Sequence, residues 1–95
     1  MVKKTNNNII VYSKNNCGYC DKAKALLKGL GLSFETRRME EFESVDAMIK
    51  DIGSRVRSMP QIKINGELIG GYNQLIEHYN KEGKVDFKGS IIHNG

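Results

Sequence analysis

The chain changes periodicity within its first thirty residues, and that change restricts its fold more than any other feature. Ile9, Ile10 and Val11, with Tyr12 behind them, make a short β-branched and aromatic run, which reads as a buried strand ending at Ser13. From Tyr19 to Leu30 the apolar residues Ala23, Leu26, Leu27 and Leu30 recur at i, i+3, i+4 and i+7. That is one face of a helix, with Gly29 and Gly31 supplying its stop. A strand feeding directly into a helix points to the α/β class. Both of the chain's cysteines, Cys17 and Cys20, fall at the junction.

The remaining elements follow from the same patterns. Ser33 to Arg38 reads as a second strand. Ser44 to Val56 reads as a second helix, carrying Val45, Met48, Ile49 and Ile52 at helical spacing, with Gly53 leaving its last turn open. Gln61 to Ile64 and Glu67 to Ile69 flank Asn65-Gly66, the strongest two-residue hairpin signal. After Gly70-Gly71, the residues Leu75, Ile76 and Tyr79 mark a third helix running to about Lys81. The order βαβαββα predicts a four-stranded mixed sheet flanked by helices. In the tail from Gly83 to Gly95, Val85, Phe87, Ile91 and Ile92 are compatible with docking on the body or with hanging free.

Ninety-five residues, 39% of them hydrophobic, make one domain spanning 1–95 with a core over about 9–82. No stretch approaches 18 consecutive apolar residues, and MVKKTNNN lacks the apolar region of a secretory signal. A cytoplasmic protein without a membrane partner is expected. The net charge of +4 is uneven: Lys3, Lys4, Lys14, Lys22, Lys24 and Lys28 crowd the first third, while Glu40, Glu41, Glu43, Asp46 and Asp51 make the middle acidic. A basic neighbourhood around the cysteines attracts anions and favours thiolate over thiol. Nucleic-acid binding is not expected, because no recognised motif accompanies the charge and the aromatics do not alternate with basic residues.

Three chemistries suit a Cys-x-x-Cys pair. A staple closing so small a loop contributes roughly 2 kcal/mol in the loop-entropy model. A closed zinc site needs four ligands, and only His78 and His93 stand beyond the cysteines, outside zinc-finger spacing. A redox pair fits the position best. At the start of a helix Cys17 meets unpaired amides and the positive end of the dipole, which stabilises a thiolate. Cys20, one turn further and more enclosed, is placed to attack a mixed disulfide formed at Cys17. Pro60, the only proline, precedes a strand in Ser58-Met59-Pro60 and reads as a fixed turn. Gly70-Gly71 opens a helix, so its backbone can approach a carboxylate and offer amides to it.

With these residues in place the chain resembles a glutaredoxin over roughly Ile9 to Lys81. YSKNNCGYC resembles that family's strand, lysine and active-site motif, SMPQI its cis-proline loop, and GGYNQL its double-glycine helix start. The form is similar to the small glutaredoxins encoded by bacteriophages, which would place the protein in a host cytoplasm. The resemblance implies a thioredoxin-like fold and glutathione-dependent thiol-disulfide exchange, with Cys17 attacking and Cys20 resolving. It places Lys14 beside the thiolate and the glycyl carboxylate of glutathione, and Tyr19 along the groove. Met59, before Pro60, would pair its backbone with the tripeptide, and Gly71, Tyr72 and Asn73 would hold the γ-glutamyl end. Disulfide-containing or glutathionylated proteins, ribonucleotide reductase among them, would be the partners of a monomer. A different implied role is a dimer in which Cys17 and glutathione hold a [2Fe-2S] cluster; a third is a thioredoxin-like reductase independent of glutathione. Two departures from the family pattern stand out. Gly18 replaces a frequent proline and leaves room for a cluster, and Asn73 replaces a frequent aspartate.

Overall fold

A computed structural model describes residues 8–92. The elements run β1 (Ile9–Ser13), α1 (Gly18–Gly29), β2 (Glu35–Arg38), α2 (Val45–Ile52), β3 (Gln61–Ile64), β4 (Glu67–Gly70) and α3 (Tyr72–Lys81), with a single 3-10 turn at Met39–Glu41 after β2. The sheet order is β2-β1-β3-β4. Strand β1 pairs in parallel with β2, Val11 opposite Thr36, and antiparallel with β3, Val11 opposite Ile62. The expected βαβαββα order and mixed sheet are both present. The β3–β4 turn has Asn65 and Gly66 at φ 54 and 85, the paired positive dihedrals that a type I′ hairpin demands.

Alternation along β1 divides the interior in two. Ile9 and Val11 face one side with Ala23, Leu26 and Leu27 of α1 and Leu75, Ile76 and Tyr79 of α3. Tyr12 faces the other, with Met48 and Ile52 of α2, and Ile10 packs against that group. Strand side chains alternate faces, so a continuous apolar run is what a sheet covered on both sides requires. The edge strand β2 is Glu-Thr-Arg-Arg, charged as exposed edges commonly are.

Helix ends depart from expectation in small ways. Gly29 lies inside α1, Leu30 caps it in the right-handed region, and Gly31 alone takes a positive φ of 77. Helix α2 starts where the Ser44 hydroxyl accepts from the Ala47 N–H at 3.1 Å, and ends at Ile52, four residues short of Val56, with Gly53 at φ 89 as its cap. Its first residue, Val45, is 53% exposed despite its place in the apolar pattern. A polar clamp fixes α2 to the sheet. The Tyr12 hydroxyl donates to Asp51 Oδ2 at 2.7 Å, Arg37 Nη1 donates to the same oxygen at 2.6 Å, and Lys63 Nζ donates to the Asp51 carbonyl at 2.8 Å. These bonds hold the Asp51 carboxyl below the usual carboxylate range, the Tyr12 hydroxyl first and Arg37 after it.

The tail docks. Val85 is fully buried in the larger core, bridges antiparallel to Ile91, and accepts a bond at its carbonyl from Asn80 Nδ2 at 2.9 Å. The Asp86 carboxylate accepts from the Lys88 and Ser90 amides, closing a turn that leaves Phe87 89% exposed. Of the four apolar tail residues two therefore pack, Val85 and Ile91, while Phe87 and Ile92 face solvent. Among the described residues no helix is long and apolar enough to cross a membrane.

Candidate active site

Strand β1 ends in buried Ser13, and a turn through Lys14, Asn15 and Asn16, the last at φ 55, delivers Cys17 to the start of α1. Cys17 is the N-cap, its backbone extended, and its sulfur accepts from the Cys20 N–H at 3.1 Å. A sulfur with an amide donor at a helix start is one whose negative charge the fold stabilises. Cys17 and Cys20 are joined as a disulfide, their Cα atoms 5.2 Å apart. Cys17 is partly exposed and Cys20 only 1% exposed. The two sulfurs are thus unequal in access, as the sequence led us to expect.

A second loop closes over the pair. The Met59-Pro60 bond is cis, Pro60 is buried, and Gln61 Nε2 donates to the Ser58 carbonyl at 2.9 Å. The Met59 carbonyl oxygen lies 3.7 Å from Cys17 Sγ. The third contribution is the β4–α3 junction, where Gly70 has φ 125 and Gly71 is the N-cap of α3. A Cβ on Gly71 would meet the Pro60 carbonyl oxygen at an ordinary 3.4 Å, so the turn lies against the proline loop, and it is Gly70, at a positive φ, that the turn requires to be glycine.

Tyr19, Met59, Pro60, Gly71, Tyr72 and Asn73, six of the residues singled out from sequence, line a single cavity of about 330 Å³. The Tyr19 and Tyr72 rings lie 5.9 Å apart across its mouth, and Lys22 Nζ is 5.1 Å from the Tyr19 ring. Ser58 and Gln74 complete the lining. Sequence reasoning assigned neither. Gln74 had a readable signal, since glutamine three residues after an N-cap is a capping pattern; its Oε1 accepts from the Gly71 N–H at 2.9 Å. Lys14 is placed differently. It is exposed and lines a smaller adjacent cleft with Arg57, sharing Ser58 and Met59 with the main cavity. Lys63 is taken up by Asp51, away from the site. His78 pairs with Glu82 at 3.5 Å on α3; His93, Lys3 and Lys4 lie outside the described residues. Among the described residues no three metal-ligating side chains gather.

The comparisons with known proteins converge on one family. The glutaredoxin family model matches residues 9–69. The chain belongs to the glutaredoxin family. It is 38% identical over 80 residues to glutaredoxin 1 of Rickettsia conorii, covering 82% of this chain and 76% of that one. It is 35% identical over 81 residues to glutaredoxin-C1 of Arabidopsis thaliana, covering 81% of this chain and 62% of that one. The chain thus spans about three-fifths of the plant glutaredoxin's length. Among solved structures, a buckwheat glutaredoxin-glutathione complex superposes with a TM-score of 0.67 at 30% identity, over 80% of this chain and 71% of that one. The dithiolic glutaredoxin 2-C-Grx1 of Trypanosoma brucei brucei gives a TM-score of 0.66 at 28% identity, over 87% and 84%. The fold is the thioredoxin-like one that glutaredoxins share.

Proposed function

We propose that the protein is a glutathione-dependent thiol-disulfide oxidoreductase. The observation that carries the reading is the unequal pair: a partly exposed Cys17 at a helix start, joined to a buried Cys20, beside a cavity that a tripeptide can enter. In the monothiol route the Cys17 thiolate attacks the glutathione sulfur of a mixed disulfide. The substrate leaves as its thiolate, and a second glutathione thiolate releases Cys17 and forms glutathione disulfide. In the dithiol route Cys17 attacks a protein disulfide, and Cys20, deprotonated, attacks Cys17 Sγ. The substrate leaves with both sulfurs reduced, the Cys17–Cys20 disulfide forms, and two glutathiones restore the thiols.

Glutathione lies along Met59 as an added strand, its glycyl carboxylate toward Lys14. Its γ-glutamyl end meets the first amides of α3, at Tyr72 and Asn73, which helix geometry leaves unpaired. The Gly71 amide joins them when Gln74 releases it. Ribonucleotide reductase is the protein acceptor to which the family resemblance points. The alternative cluster role has less support, because Cys17, the protein ligand it would take, is bonded to Cys20.

The test is turnover of a glutathione mixed disulfide of a small thiol, followed with glutathione in excess. Cys17→Ser is expected to abolish it, and Cys20→Ser to retain it while losing reduction of protein disulfides. Undiminished turnover by Cys17→Ser would end the reading.

A further inference from the structure

The tail after α3 meets the body at three places, and one of them reaches the wall of the cavity. Val85 is fully buried in the larger core, and its carbonyl accepts from Asn80 Nδ2 at 2.9 Å. Ile91 lies against α1: a Cβ on Gly29 would stand 2.6 Å from Ile91 Cδ1, so the tail fills the space that a larger residue in that helix would need. Between these anchors, the turn over 86–90 lies on the first turns of α3. A Cβ on Gly89 would stand 2.9 Å from Ile76 Cδ1 and 3.1 Å from the Tyr72 hydroxyl oxygen, and Gly89 takes φ 88. Glycine alone combines that dihedral with so close an approach.

We propose that this turn braces Tyr72, with Asp86 and Gly89 as positioning residues that hold its ring in place for glutathione. The inference rests on the exchange function above and adds to it residues that do not line the cavity.

Three observations carry it. First, the turn is stiff. The Asp86 Oδ1 atom accepts from the Lys88 and Ser90 amides, both at 2.9 Å. The Asp86 N–H donates to the Ser90 carbonyl at 2.9 Å, and the Gly89 N–H to the Asp86 carbonyl at 3.0 Å. Second, the shape of the turn is not explained by burial of its own apolar residue. Phe87 at the tip is 89% exposed, and what the turn covers is Tyr72 and Ile76. Third, Tyr72 is held from both ends. Its hydroxyl meets Gly89, while its ring packs against the larger core and lies 5.9 Å from the Tyr19 ring, in the lining of the cavity. A half-exposed tyrosine at a helix start has more than one rotamer open to it. With Gly89 over its hydroxyl end one of them is selected, and a ligand that finds the wall already in place binds without the cost of ordering it.

Two variants of the turn test this, with a third as the rescue. Asp86→Ala removes the acceptor of two turn amides and leaves Val85 and Ile91 anchored. Gly89→Ala leaves those bonds alone and directs a methyl group at the Tyr72 hydroxyl. Each is expected to raise the KM for a small glutathione mixed disulfide about fivefold, the scale of one disturbed aromatic pair. The kcat is expected to stay within about twofold, since the reacting sulfur is untouched. Asp86→Asn, whose amide oxygen accepts both bonds, is expected to bring KM back to within about twofold of the parent's. In NMR spectra the Tyr72 ring resonances are expected to move in Asp86→Ala and to return in Asp86→Asn. Alkylation of Cys17 by iodoacetamide in the reduced proteins is expected to keep the parent's rate, because that reagent uses no tripeptide subsite. An unchanged KM in either alanine variant overturns the proposal, and so do Tyr72 resonances that stay in place or an Asp86→Asn protein as impaired as Asp86→Ala. Losses in kcat and alkylation rate equal to the rise in KM would mean a loosened fold and also overturn it. With a parent active on the mixed disulfide, any of these results sinks this inference alone. A parent inactive on that substrate ends the functional reading, and this inference with it.

Discussion

Tyr12 shows how one hydroxyl ties stability to pH. Burial, and then its bond to Asp51, push its ionisation up to about 12 from the ordinary value near 10. A group whose folded value is raised contributes stability that is present below the unfolded value and lost as the pH climbs through the folded one. Denaturant unfolding is therefore expected to show a stability loss between about pH 10 and 12 that Tyr12→Phe flattens, alongside a cost of about 1 kcal/mol at neutral pH for the lost Tyr12–Asp51 bond, Arg37 still donating to that oxygen. Asp51 behaves oppositely: its lowered value supplies stability that disappears as the pH falls below about 4. At the site, Asn73 is exposed in the first turn of α3. Asn73→Asp is expected to lower the KM for glutathione by about two- to fivefold, the scale of one exposed ion pair with its amine. Steady-state kinetics at low and high salt check it, the gain shrinking as salt screens the pair.

Helices and turns account for much of what the sequence made legible, and for where it stopped. The hairpin at Asn65-Gly66 was readable because only residues tolerant of positive φ fill both positions. The end of α2 was not, because Val56 continues the apolar pattern past Gly53, and periodicity does not register the left-handed residue that ends the helix. Gly53→Ala, forced to φ 89, is expected to lower stability by about 1 kcal/mol in thermal or denaturant unfolding. Val45 fitted the apolar face by spacing yet sits at the first turn, beyond the reach of the smaller core. The tail was undecidable for a similar reason: four apolar residues in thirteen carry no period, and docking depended on the Asp86 turn that folds Ile91 back to Val85.

Across the whole molecule, six of the eight residues that line the larger cavity come from α1, the proline loop and the start of α3 as the sequence named them, and motif order alone brought them forward. Motifs do not carry the space between them. Lys14 therefore landed beside Arg57 in a separate cleft, and the hold of Gln74 on the Gly71 amide was missed. The three layers serve one geometry, a sulfur presented to solvent at a helix start while its partner stays beneath. Competitive alkylation of the fully reduced protein at neutral pH, using substoichiometric iodoacetamide and peptide mapping, tests that geometry directly. The account predicts modification at Cys17 faster than at free cysteine, with Cys20 spared. Modification first at Cys20, or a Cys17 no more reactive than free cysteine, would contradict it.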